Sequence, residues 1–435
     1  MIHRKSLRSS LALWIAIVLT NGISPAAEWP QWRGPNRDGV WDEQGIAESF
    51  SGEQIQPLWR APISNGYTGP TVAAGRAYVM DRIAAPAETE RVLCFDADTG
   101  KELWRFEYEC AYERFGYPNG PRACVTIDNG LAYAMGAMGH LHCLDAATGA
   151  LVWRHDLKSE YAIRLPTWAM ACAPLIAGDL VVLNIGGQPG AAIVAFDKKT
   201  GEERWRALDD RIAYSSPILI EQAGRTVLVS LTAERLAGLD PETGALLWEA
   251  PFAPAKGPIS VPDPVLHNGH LFVSSFYDGS MLVKLASDRL AAEIVWRRRG
   301  ASERKTDSLH CMISTPVLQG DHIYGIDSYG EFRCLEIATG DRIWESQAIT
   351  PFARWSTAHF TRRRDKVWIF NERGELIIGK LSPQGFQEID RAALLEPTTG
   401  QLSQRGGVCW SPPAFAYGRI YVRNDKELLC ASLSE

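Results

Sequence analysis

The side chains best equipped for chemistry in this 435-residue chain are its imidazoles and its thiols. His140-Leu141-His142-Cys143 has the residue types of a transition-metal clip, because imidazole nitrogen and thiolate sulfur are the usual zinc donors. In a strand, alternate residues point to opposite faces, so the two histidines share one side and the thiol takes the other. No third ligand stands near them in sequence, and neither a metal centre nor a catalytic residue is assigned. The nine cysteines offer a second chemistry, disulfide formation, if the chain is exported. Cys110 and Cys124 are the pair close enough in sequence for a local staple. Cys94, Cys143, Cys334 and Cys430 instead recur at one repeated position that Ala195 and Gly238 fill elsewhere. They read as free, buried thiols in different sheets. Packed sheets lie about 10 Å apart, beyond the roughly 7 Å that separates bridged α-carbons.

Export is expected from the first residues. Arg4, Lys5 and Arg8 precede an apolar run from Leu11 to Leu19 and then Ser24-Pro25-Ala26, the pattern of a secretory signal over residues 1–26 that is cleaved near Ala26. A transmembrane anchor needs about 20 apolar residues, more than this run supplies. No cysteine precedes Cys94 to carry a lipid, so the mature chain, residues 27–435, is expected to have no transmembrane segment and to be periplasmic or secreted. With 45 basic against 51 acidic side chains there is no cationic surface to recognise nucleic acid or anionic lipid.

What positions any site is a repeat. Asp96-Ala-Asp-Thr99-Gly100-Lys-Glu-Leu-Trp104 returns at Asp145 to Trp153, Asp197 to Trp205, Asp240 to Trp248 and, with glutamate leading, Glu336 to Trp344. Degenerate copies lie at Leu285 to Trp296, without Thr-Gly, and at Leu381 to Ile389, without the tryptophan; Trp59 stands alone ahead of them all. Each phrase is a hairpin, with Thr-Gly as the turn. A second hairpin, built on a proline followed by a glycine turn as in Pro70 to Val79, precedes it. The period, about 47.5 residues between tryptophans, therefore holds four strands, the size of one propeller blade. The expected fold is an all-β, eight-bladed β-propeller forming one domain. Trp59 would supply the strand that the C-terminal segment lacks, closing the ring without a free edge. Seven blades are the alternative if residues 381–389 form a loop.

Aligning the blades on the position where a proline opens six of the innermost strands, Pro70, Pro174, Pro217, Pro264, Pro316 and Pro413, brings dispersed residues to one end of the ring. Three residues before it stand Tyr67, Arg122, Tyr214, Trp355 and Trp410 among smaller groups, and two before it stand Ser215, Ser314, Ser356 and Ser411. In ring order Trp355, Trp410, Tyr67 and Arg122 come from consecutive blades, an aromatic arc with one cation at the funnel mouth. These nine residues are the candidate ligand site. Two roles fit them: plugging the channel, with hydroxyls satisfying strand ends, or stacking a planar, sugar-like or peptide ligand whose carboxylate meets Arg122.

The repeated phrase, together with Trp29-Pro-Gln-Trp32-Arg-Gly-Pro-Asn-Arg-Asp-Gly39, resembles exported bacterial proteins of the pyrroloquinoline-quinone (PQQ) type repeat, over nearly the whole mature chain. That resemblance implies two branches. Quinoprotein dehydrogenases hold PQQ and Ca²⁺ at the centre of the propeller and typically carry adjacent cysteines against the quinone, whereas the outer-membrane assembly propeller holds neither. This sequence has no Cys-Cys pair and no Cys-x-x-Cys-His. The expectation is a non-catalytic binding or assembly module for an envelope or secreted protein partner or a small extracellular ligand, with no cofactor. A PQQ- and calcium-dependent oxidoreductase acting on alcohols or sugars is the alternative.

Overall fold

The computed structural model describes residues 27–435, so the signal sequence expected at 1–26 lies outside the described residues. Eight antiparallel sheets of four strands each form the propeller. The first seven blades run in chain order from Thr71 to Ala393; blade seven ends in the hairpin Glu375–Ser382 and Gly385–Ala393, so the degenerate copy at 381–389 is a true blade element. In blade eight, Ala414–Ala416, Arg419–Arg423 and Glu427–Ser432 are joined by the N-terminal strand Pro57–Pro62. Trp59 lies opposite Cys430 and Ala61 opposite Leu428.

The repeated phrase explains how blades are built and how they join. The Asp96 carboxylate accepts hydrogen bonds from the backbone N–H and the hydroxyl of Thr99, both at 2.8 Å, while Gly100 adopts φ +70°. That conformation favours glycine, and contact with the neighbouring blade requires it again: a Cβ on Gly100 would sit 2.5 Å from the Trp59 indole. Gly149 stands in the same relation to Trp104, and Gly244 to Trp205. Each indole thus covers the turn of the next blade and donates its N–H to a carbonyl there: Trp59 to Ala97 at 3.0 Å, Trp104 to Ala146 at 3.2 Å, Trp153 to Lys198 at 3.1 Å. Trp59 makes this bridge from blade eight to blade one. Trp248 is the exception, because blade five has lost Thr-Gly; its N–H turns back to Gln222 Oε1 at 2.8 Å, and Gln222 reaches the Ala291 carbonyl at 2.7 Å in its stead.

The small residues at the recurrent cysteine position lie directly across from these tryptophans, Cys94 opposite Trp104, Cys143 opposite Trp153 and Cys334 opposite Trp344. All nine cysteines are free and buried, Cys110 and Cys124 included. Cys110 instead has its Sγ 3.6 Å from His140 Nδ1.

Residues 28–41 cross the ring under the inner strands. Trp29 exchanges backbone hydrogen bonds with Val72 in blade one, Pro30 accepts from Ile127 in blade two, and Gly39 accepts from Arg362 in blade seven. Arg37, buried between them, donates to the carbonyls of Ala173, Pro174 and Pro217. In the basic run Arg362-Arg363-Arg364 the middle residue is not solvated. This side chain is only 2% exposed because it donates to the Glu43 carbonyl at 2.9 Å and stacks on Trp41. No described helix is long and apolar enough to cross a membrane.

Candidate functional site

The inner strands open onto a cavity of about 140 Å³ at the funnel mouth. Its walls follow strand alternation. Residues three and one before the aligned proline face inward: Arg122 with Cys124, Ala171 with Ala173, Tyr214 with Ser216, Val261 with Asp263, and Trp410 with Pro412. Tyr67 and Ile313 represent blades one and six, and His359 represents blade seven. The residue between the two inward positions points the other way, as a period of two demands.

Of the nine candidates, Tyr67, Arg122, Tyr214 and Trp410 line this cavity. The serines do not. Ser314 shares a hydrogen bond with Thr357 at 2.8 Å and accepts from Ala358 N–H, Ser356 donates to the Pro351 carbonyl at 2.8 Å, and Ser411 accepts from Gln401 at 2.7 Å. Ser215, fully buried, turns to the Ser216 carbonyl. Ser314 thereby ties blade six to blade seven, and the other three satisfy groups of their own entry segments. Trp355 is also displaced from the cavity: its backbone takes φ +70°, and Arg354 holds its ring at 4.3 Å, so it backs onto Tyr117 and not onto the opening.

The residues one step before the proline position also face inward, as the same alternation requires, although they are not among the nine candidates. Asp263 is the carboxylate among them, and it is 1% exposed. It accepts hydrogen bonds from Trp32 Nε1 and from Ser216 N–H, the latter at 2.9 Å. Burial raises its pKa, with Arg33 opposing the shift. Trp32 lies in the motif that carries the family resemblance, and here it lines the cavity. Tyr117 and Trp168 come from connecting loops, where the repeat gives no register.

The polar groups of the cavity are largely committed to the fold. Tyr67 hydroxyl donates toward the carbonyls of Tyr117 and Gln401, at 3.2 and 3.1 Å, and Tyr214 hydroxyl accepts from Trp168 N–H. Arg122 caps the carbonyls of Gly120, Gly116 and Tyr117 and lies over the Tyr67 ring at 4.7 Å. Among the described residues it has no carboxylate partner, and burial lowers its pKa.

His359, 2.9 Å from the Trp410 carbonyl, is pulled down to about 4 by burial. His142, between the rings of Phe106 and Tyr108, falls to about 3 for the same reason. Between pH 6.5 and 4 the unfolded chain binds protons that these folded imidazoles refuse, so stability should be complete above pH 6.5 and decline as pH falls toward 4, by a few kcal/mol. Urea unfolding at pH 7 and pH 4.5 checks this. His359→Gln should flatten part of the pH dependence, and an unchanged profile would contradict the assignment.

A family model described as outer membrane protein assembly factor BamB matches residues 88–346 and, again, 286–435. The chain belongs to that family. Members and neighbours of this family divide in their names. The assembly factor BamB of Shewanella oneidensis is 26% identical over 234 residues, 51% of this chain and 56% of the relative. The dehydrogenase subunit of alcohol dehydrogenase (quinone) from Gluconacetobacter polyoxogenes is 25% identical over 366 residues, 75% of this chain and 42% of the relative. The 1-butanol dehydrogenase (quinone) of Thauera butanivorans is 30% identical over 168 residues, 34% of this chain and 25% of the relative. The chain therefore spans between a quarter and somewhat over half the length of these curated relatives. Among solved structures, BamB from Moraxella catarrhalis superposes with a TM-score of 0.58 at 17% identity, covering 87% of this chain and 97% of that one. Quinohemoprotein alcohol dehydrogenase from Comamonas testosteroni gives 0.64 at 13% identity, covering 93% and 80%. At those identities the likeness is one of fold, and a fold hosts many functions.

Proposed function

We propose that this BamB-family chain is an exported, non-catalytic binding or assembly module, led out by a signal over residues 1–26 and working in the periplasm or as a secreted protein. Its partner is an envelope or secreted protein, or a small extracellular ligand held at the funnel mouth by Tyr67, Arg122, Tyr214 and Trp410. The observation that carries the reading is the cavity itself. It is an aromatic enclosure whose hydroxyls, imidazole and carboxylate are tied into the fold, leaving one guanidinium without an anion. Such a lining suits stacking and charge recognition and lacks a base placed beside a nucleophile. Three of the similar curated proteins are named as outer membrane protein assembly factors, which favours a protein partner.

The second reading, a PQQ-dependent oxidoreductase acting on alcohols or sugars, is favoured by the relatives named as quinone alcohol dehydrogenases. The residues present do not fit PQQ with Ca²⁺. Calcium takes about six to eight oxygen ligands, whereas the cavity wall offers the single carboxylate of Asp263, already engaged by Trp32 and Ser216. Among the described residues no three His, Cys, Asp or Glu side chains converge as a metal site. The enclosed part is close in volume to a cavity of about 150 Å³ that holds one benzene ring, so a fused tricyclic tri-acid would project out of the mouth. Titration with PQQ and Ca²⁺ should give neither a stoichiometric quinone absorption band nor dye-linked oxidation of alcohols or glucose. Stoichiometric quinone binding with turnover would overturn the proposal.

A further inference from the structure

The size and chemistry of the cavity narrow the class of its ligand. Its enclosed part, about 140 Å³ and open at the mouth, has room for a single ring with one small substituent. Aromatic side chains line that space, Trp32, Trp168 and Trp410 with Tyr67, Tyr117 and Tyr214. Indole and phenol faces favour an aromatic guest through offset and edge contacts. A sugar would need a hydrogen-bond partner for each hydroxyl it buries. The polar groups available to it are few: Asp263 is engaged by Trp32 and Ser216, His359 faces the Trp410 carbonyl, and Ser216 Oγ accepts from Ala173 N–H at 3.0 Å.

Arg122 is the one lysine or arginine on the wall. Its three hydrogen bonds to Gly120, Gly116 and Tyr117 leave two of a guanidinium's five N–H donors without a protein partner. The same backbone carbonyls and the Tyr67 ring fix the guanidinium plane before any ligand arrives. A lone, pre-oriented guanidinium matches a single carboxylate, one positive charge against one negative.

We infer that the cavity binds a planar, single-ring carboxylic acid of the benzoate class, its ring against the aromatic walls and its carboxylate on Arg122. The inference rests on the reading of the funnel mouth as a ligand site and specifies what that site takes. The acid is recognised, not transformed.

The test is calorimetric titration of the mature protein with benzoate, benzyl alcohol, cyclohexanecarboxylate and glucose. Benzoate should bind saturably at one site per chain. Benzyl alcohol lacks the charge and cyclohexanecarboxylate lacks the flat ring, so each should bind about tenfold or more weakly. Arg122→Gln should weaken benzoate by about 10- to 100-fold, the worth of a charge-assisted hydrogen bond, while Arg122→Lys retains part of the affinity. Unfolding temperatures of both variants separate lost binding from lost structure, and the lysine variant keeps the test readable if the glutamine variant misfolds. Benzoate binding that is absent, matched by benzyl alcohol, or unaffected at both Arg122 variants would overturn the inference. Glucose binding more tightly than benzoate, with loss in Trp410→Ala, would overturn the acid class and leave the site reading standing. If no probe binds and the Arg122 variants retain every envelope partner, the site reading falls as well.

Discussion

Removal of residues 27–62 should leave a chain that aggregates or fails to fold. The deletion takes away the outer strand of blade eight, whose residues pair with Glu427 to Ala431, and exposes the edge of the Glu427–Ser432 strand. An uncovered strand edge is a template for association. It also removes three buried tryptophans, Trp29, Trp41 and Trp59, of which Trp41 packs on Trp368 at 5.5 Å and Trp59 bridges to Ala97. Replacing one buried tryptophan by alanine costs about 3–5 kcal/mol, so three approach the whole stability of a typical domain, about 5–15 kcal/mol. The loss of Arg37 frees the carbonyls of Ala173, Pro174 and Pro217 as well. Size-exclusion chromatography and thermal unfolding check the outcome. A truncated protein that stays monomeric with an unchanged melting temperature would refute strand exchange as the closure of the ring.

The second large effect separates the two roles of the funnel mouth. Trp410 is 6% exposed and packs with Leu402 and Val408, so Trp410→Ala should cost about 3–5 kcal/mol of stability whether or not a ligand binds. Arg122 differs. It is half-buried, sits on its own loop and bonds to backbone carbonyls without filling a core, so Arg122→Ala should cost about 1–2 kcal/mol. Denaturant unfolding of the two variants should therefore rank Trp410→Ala well below Arg122→Ala. Equal, large losses would make Arg122 a structural strut.

The blades were legible because their repeat is dictated by contacts that few residues satisfy. Gly100 must take positive φ and lie under Trp59, and Cys94 must be small opposite Trp104; such positions print themselves on the sequence in most blades. Closure was legible for the same reason, since Trp59 had no blade of its own at the N-terminus. The site was read only in part. Strand alternation placed Tyr67, Arg122, Tyr214 and Trp410, but the serines one step along point away from the cavity, which the same alternation required. Trp355 departs because its left-handed backbone breaks the register at blade seven, where His359 faces the cavity in its place. Trp32 approaches from the N-terminal segment and Tyr117 and Trp168 from loops, and nothing periodic in the sequence marks where such segments pack. Arg363 is buried by that same N-terminal segment, whose course no repeat announces.

The central claim, that the funnel mouth binds and does not merely fill space, is tested most directly by retention of an envelope partner or ligand on immobilised Arg122→Ala protein. Hot-spot contacts are worth about 2 kcal/mol or more, roughly 30-fold in affinity. The expected result is a folded variant, close to the parent in melting temperature, whose retention of material from the envelope fraction falls by that order. Unchanged retention together with a large drop in stability would contradict it and leave Tyr67, Arg122, Tyr214 and Trp410 as the packing of a channel plug.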